Sequence, residues 1–168
     1  MASKAFSMHI DPKDLKRLHE KLGEHAYLEA MTSVMHSAAN LAERHAKQNV
    51  PVDTGALRRS INSDAKPLSA RVFSNLNYAV PVEVGRKPGQ RMPPPNALRG
   101  WARRKLGNPN LAFVVARGIA KRGSAKTKGG RYIGGRFFMR KALNEVKKKL
   151  PYYMEEAAHY TAEQWGRK

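Results

Sequence analysis

The sequence predicts an α+β fold: a long N-terminal helix and a C-terminal helix packed on a small antiparallel β-sheet, with two short helices and a basic flexible loop. Three observations carry this. A 3.6-residue apolar stripe runs from Leu15 to about Gln48, and a second runs from Met139 to Trp165. Between them lie short alternating segments bounded by Pro, Gly and Asn turns. With 168 residues and 41% hydrophobic content, the chain can bury one ordinary core. It reads as a single domain over 1–168, with an N-terminal tail (1–10), a flexible basic loop (123–136) and a C-terminal helical extension (151–168).

Asp11-Pro12-Lys13-Asp14 is a helix start: Asp11 can accept free backbone N–H groups, Pro12 has the φ of a first helical position, and Asp14 complements the dipole. Leu15, Leu18 and Leu22 open the stripe. Gly23 interrupts it, and Ala26, Met31, Val34, Met35, Ala38, Leu41, Ala42 and His45 continue it, as one long helix or two with a kink. Pro51 cannot continue this helix, and Asp53-Thr54-Gly55 is turn chemistry, with Asp bonding the backbone ahead and Gly taking positive φ. Three strands are then expected, at Leu57–Asn62, Arg71–Leu76 and Tyr78–Val84, the last an edge or bulged strand because Pro81 lacks a ladder donor. Pro67-Leu68-Ser69 and Asn75–Asn77 are the turns.

Gly85–Pro95 is a basic loop ending in three prolines, which favours polyproline-like extension. A helix over Asn96–Leu106 follows, with Asn96 as N-cap, Leu98, Trp101, Ala102 and Leu106 as its apolar side, and Gly107 and Pro109 as its stop. Another spans Leu111–Lys121, with Leu111, Val114, Val115 and Ile119 inward and Arg117, Lys121 and Arg122 outward. Gly123–Gly130 is cationic with nothing to bury. Phe137 and Phe138 reopen the fold into a last helix, which Pro151 breaks or restarts.

Charge is distributed unevenly. The net charge is +19. Up to Glu83 there are 11 Lys+Arg against 9 Asp+Glu, and beyond it 21 against 4. No acid occurs between Glu83 and Glu145. A field of one sign that dense opposes compaction unless counter-charge is near, so it points to a polyanion or an acidic protein surface as partner. The candidate contacts to DNA or to a protein partner are Arg117, Lys121, Arg122, Lys126, Lys128, Arg131 and Arg136.

Catalytic and cofactor templates fail. With no cysteine there is no disulfide, thiolate nucleophile or cysteine-bound zinc. His19-Glu20 begins like a zincin, but position 23 is Gly where the second histidine is needed. His25, His36 and His45 are spaced by eleven and nine, not four, and read as structural. Gly118 and Gly123 have the P-loop interval, but Ser124-Ala125 replaces Lys-Ser/Thr. No enzyme, metal or cofactor is expected. The longest apolar runs are far below the roughly 20 residues of a membrane helix, and the N-terminus carries no apolar signal core. A helix-turn-helix over 96–121 would place Ala, Phe, Val and Val where base-reading side chains belong. Any nucleic-acid contact would therefore be to phosphates.

The run Val50-Pro51-Val52-Asp53-Thr54-Gly55-Ala56-Leu57-Arg58-Arg59-Ser60-Ile61 resembles the signature of the small neck and tail-completion proteins of long-tailed bacteriophages. These are minor tail proteins that join head to tail. Tyr78-Ala79, Val82-Glu83-Val84-Gly85, Pro93-Pro94-Pro95-x-x-Leu98-x-x-Trp101, Val115–Ala120 and Arg136–Ala142 are similar to later pieces of that family, in the same order. Where family members run from the Arg-Gly segment to Arg-Pro-Phe, this chain inserts the Lys/Gly loop and has Arg-Phe-Phe, so loop contacts do not carry over. The resemblance implies a virion protein without catalysis, made in the host cytoplasm and placed in the neck or tail. It implies a homo-oligomeric ring, six- or twelve-fold, meeting portal, adaptor or stopper proteins and a tail terminator or tube. Val52, Asp53, Thr54, Gly55, Leu57, Tyr78, Glu83, Gly85 and Trp101 are then structural motif residues, with Asp53-Thr54-Gly55 a fold-determining corner. The alternative is a DNA-binding protein without sequence specificity, acting in packaging or regulation.

Overall fold

The computed structural model describes residues 6–8, 24–124, 127–128, 131–132 and 135–165. They form α+β structure in two compact units. The first takes its described residues from Met1–Val50, Leu57–Asn75 and Phe138–Lys168, the second from Pro51–Ala56 and Leu76–Phe137.

Two long helices and a sheet make the first unit. Helix α1 (Glu24–Asn49) buries Ala26, Ala30, Met31, Val34, Met35, Ala38, Leu41, Ala42 and Ala46, the three- and four-residue spacing of one continuous face. The expected start at Asp11 and the stripe residues Leu15, Leu18 and Leu22 lie outside the described residues. Helix α6 (Phe138–Trp165) packs along α1 through Phe138, Met139, Ala142 and Val146. Alanines on both helices permit close backbone approach, which multiplies dispersion contacts. Pro151 lies inside α6 and does not break it. Packing along α1 and the intact turns on either side outweigh the lost donor there.

The sheet is antiparallel, in the order β1–β3–β2, from β1 (Phe6–Met8), β2 (Ile61–Lys66) and β3 (Ser69–Ser74). Lys66 pairs with Ser69 across a two-residue turn, and Ile61 with Ser74. Ile61, Ala70 and Val72 are buried, and β2 and β3 lie against α1. Ser63 Oγ donates to Glu43 Oε2 at 2.6 Å and Lys47 Nζ to Glu43 Oε1 at 2.5 Å, tying α1 to β2. Burial alone would raise the Glu43 carboxyl's pKa, but these bonds and the Lys47 charge hold it below the usual range.

The strand set differs from the sequence reading at three places. The third strand is not Tyr78–Val84. It is Phe6–Met8, within the segment expected to be an N-terminal tail, pairing Phe6 with Val72. Tyr78–Val84 forms a short helix, α3 (Ala79–Val84). Pro81 sits in its first turn, where an N–H has no intrahelical acceptor, so a missing donor costs nothing. Its buried residues are Ala79 and Glu83, four apart, while Val80 and Val84 face outward. Leu57–Asn62 likewise splits. Ala56–Arg59 is a helical turn, α2, and the strand begins only at Ile61.

The second unit holds α3, α4 (Pro95–Leu106), a 3₁₀ turn (Pro109–Leu111), α5 (Ala112–Arg122) and a two-stranded ladder of β4 (Thr127–Lys128) with β5 (Arg131–Tyr132). The N-cap of α4 is Pro94, with Pro95 first in the helix, and not Asn96. The fixed proline φ already suits that position. Gly107 takes positive φ (72°) at its C-cap, and Asn108 Oδ1 accepts from Asn110 N at 2.9 Å to open the 3₁₀ turn. Burial corrects the inward set of α5: Ala112 and Ala116 are buried, Val115 and Ile119 are half-buried, and Leu111 and Val114 are exposed. Alanines are what fit where α4 and α5 pack closely.

Candidate basic interface

Residues 82–89 are the hub on which the basic segments of the second unit hang. Gly85 ends α3 with φ 75°. Arg86 O accepts from Ser124 N and Ser124 Oγ accepts from Arg86 N, both at 3.0 Å. Gly89 N donates to Ala120 O at 2.8 Å, anchoring the end of α5. Farther along, Arg136 N donates to Val82 O and Phe137 N to Glu83 O, each at 3.0 Å. Two glycines make these approaches possible. A Cβ on Gly123 would overlap the Arg86 carbonyl oxygen, and one on Gly135 would overlap the Glu83 carbonyl oxygen. Both ends of the Lys/Gly insertion are therefore stitched to one short stretch of backbone. Between them β4 and β5 pair Thr127 with Tyr132 and Lys128 with Arg131, within the segment read as an open loop. Lys126 lies outside the described residues.

Arg117, Lys121, Arg122 and Arg136 are all exposed. Lys121 and Arg122 occupy the last turn of α5, where a cation complements the helix dipole. At about 100° per residue, Phe113, Val114, Arg117 and Lys121 fall in one sector of α5. Phe113 is 53% and Val114 62% exposed. This mixed apolar and basic face was not expected, because Val114 was turned inward and Phe113 was assigned to neither side. The signal that could have found it was the second, small-residue stripe of Ala112 and Ala116.

The Asp-Thr-Gly corner is present, with one change of partner. Gly55 takes φ 76°, and Thr54 Oγ1 accepts from Ala56 N at 3.4 Å, so threonine supplies the backbone bond that was expected of Asp53. Asp53 instead accepts two bonds from Arg104, Nη2 to Oδ2 at 2.5 Å and Nε to Oδ1 at 3.3 Å, a fork geometry that lysine could not make. The Arg104 guanidinium holds the Asp53 carboxyl below its usual range, and Arg104 in turn holds its proton more tightly. No sequence spacing links positions 53 and 104. Of the other motif residues, Leu57 and Glu83 are buried, Trp101 is half-buried, and Val52 and Tyr78 are exposed. Glu83 does not end a sheet; it faces the interior from α3.

His36 is exposed and His45 half-buried. Among the described residues no group of three or more His, Asp or Glu could hold a metal ion, and no helix is long and apolar enough to cross a membrane.

No curated protein and no solved structure gives a significant match to the chain. A family model does match, and it ends at Gly85, where the long basic stretch begins. The Pro-rich, Arg-Gly and Arg-Phe-Phe pieces lie beyond it. Over residues 13–85, which include the Asp-Thr-Gly corner, the sheet hairpin and α3, the chain matches the HK97-gp10-like family, described as "Bacteriophage HK97-gp10, putative tail-component", in keeping with a phage neck or tail protein family.

Proposed function

We propose that the protein is a structural subunit of a phage neck or tail that works by assembly and not by catalysis. The observation that carries this reading is the match of residues 13–85 to a phage tail-component family. The second unit supports it. Its α5 sector sets Phe113 and Val114 beside Arg117 and Lys121, and apolar anchors flanked by arginine are what the core of a protein interface uses.

The subunit forms a ring of six or twelve copies at the junction of head and tail. It meets portal, adaptor or stopper proteins on one side and a tail terminator or tube on the other, in the virion, after synthesis in the host cytoplasm. Closed rings repeat one heterologous contact, so each weak basic contact to an acidic neighbour or to genomic phosphate is multiplied by the copy number. Changing Lys121, Arg122, Lys126 and Lys128 together to Ser leaves the subunit folded but impairs head–tail joining or DNA retention. Virions of normal yield and infectivity carrying all four changes would refute that role. Electron microscopy of assembled tails counts the copies and locates them.

A further inference from the structure

The first unit carries a cationic site outside the long basic stretch's apolar face. His45 and Asn49 from the end of α1 face Lys141, Asn144 and Lys147 from α6 across an open cleft of about 580 Å3. One acid lines it, Glu145, and that carboxylate accepts from Lys148 Nζ at 2.8 Å. Lys148 holds the Glu145 carboxyl below its usual range, so this carboxylate is taken up by its own lysine. Lys141 and Lys147 have no carboxylate partner among the described residues. On the other flank of α1 a second cleft, of about 310 Å3, is lined by Arg44, Lys47 and Arg58 with Asn40 and Gln48. Its one acid, Glu43, is taken up by Lys47 and Ser63. Arg44 and Arg58 remain unpaired among the described residues.

We propose that the cleft between α1 and α6 binds phosphates of a nucleic-acid backbone, the second cleft being a separate basic patch on the opposite flank of α1. Two uncompensated cations, Lys141 and Lys147, face it, with the Asn49 and Asn144 side-chain amides as further donors. The C-terminal carbonyls of α1 oppose an anion with roughly half a charge, which two full charges outweigh. Every residue lining it is charged or polar, and its apolar surface is only the stems of those side chains. An acidic protein partner would need apolar or aromatic anchors to bind there, whereas a phosphodiester needs only cations and donors. The site goes beyond the tail-subunit reading and stands whether or not that reading holds.

Anisotropy of a labelled 20-base-pair duplex with the full chain tests it, comparing wild type with Lys141→Gln/Lys147→Gln and with a charge-matched control, Lys87→Gln/Lys105→Gln. The cleft pair is expected to weaken binding about tenfold and to lower the salt slope by about 2, the control by clearly less, with unchanged circular dichroism. Lysine acetylation read by mass spectrometry should show the duplex protecting Lys141 and Lys147 more than Lys66. Equal losses in the two pairs, or no protection of Lys141 and Lys147, overturn the site. Complete displacement of the duplex by millimolar inorganic phosphate, or by polyglutamate at equal charge, overturns the assignment to a nucleic-acid backbone.

Discussion

Asp53 and Gly135 show how single positions are set by partners remote in the chain. Asp53 ionised is bonded twice to Arg104. Because its carboxyl is held low in the folded state, the contribution is complete above the ordinary value of 3.8 and drains as pH falls below it. The gap in thermal midpoint between wild type and Asp53→Asn should therefore be constant at neutral pH and close below 3.8. A gap that persists in acid would show that the ion pair does not carry the corner. At Gly135 the obstacle is backbone, the Glu83 carbonyl, which cannot swing aside as a long side chain would. Gly135→Ala is expected to cost about 1–3 kcal/mol, read as a lower urea midpoint. The Asp-Thr-Gly turn was legible in the sequence because it is local. Its salt bridge was not, because nothing in a string of residues brings positions 53 and 104 together.

At the scale of elements, what could be read was set by length. Helix α1 repeats its apolar period over seven turns, so competing periods cancel. Six residues of alternating valine around Pro81 fit a strand and a short helix equally well, and the burial of Ala79 and Glu83 decides for the helix. Helix α5 was placed correctly but its inward face was set too far toward Leu111 and Val114, since hydrophobicity ranks these above Ala112 and Ala116 whereas close helix packing prefers the smaller residues. Two substitutions separate these roles. Phe138→Ala removes a fully buried ring and should destabilise the fold by about 3–5 kcal/mol. Phe113→Ser with Val114→Ser should change stability by no more than about 0.5 kcal/mol per site and yet reduce incorporation into tails, scored by immunoblot of purified particles. Pro151→Ala restores a helix donor within α6 and should stabilise by up to about 3 kcal/mol, seen as a higher urea midpoint. A decrease would mean that the proline sets a bend that packing requires.

The whole molecule joins two units of unequal core. The first buries Met31, Met35, Val34, Ile61, Phe138 and Val146, while among the described residues the buried apolar ones of the second are all alanines: Ala79, Ala102, Ala112 and Ala116. Alanine burial removes little apolar surface, and the second unit also carries most of a dense field of like charge. Amide hydrogen exchange should report faster opening in α4 and α5 than in α1 and α6. Rising salt should slow exchange in the second unit preferentially by screening its self-repulsion. Equal protection in the two units would show that the alanine core suffices alone. A unit so lightly cored has large apolar side chains left on its surface, such as Phe113 and Leu106.

The stitching of Ser124 and of Arg136 and Phe137 onto residues 82–86 has a consequence for variation. Both feet of the insertion are held by the scaffold, so its span is fixed whatever its length. Doubling a closed loop adds only about 0.6 kcal/mol of closure entropy. Residues 125–134 can thus lengthen, shorten or change charge at small thermodynamic cost to the rest of the fold. The clamp makes this segment an interchangeable part, one that can be exchanged to suit a different neighbour so long as Gly123 and Gly135 are kept.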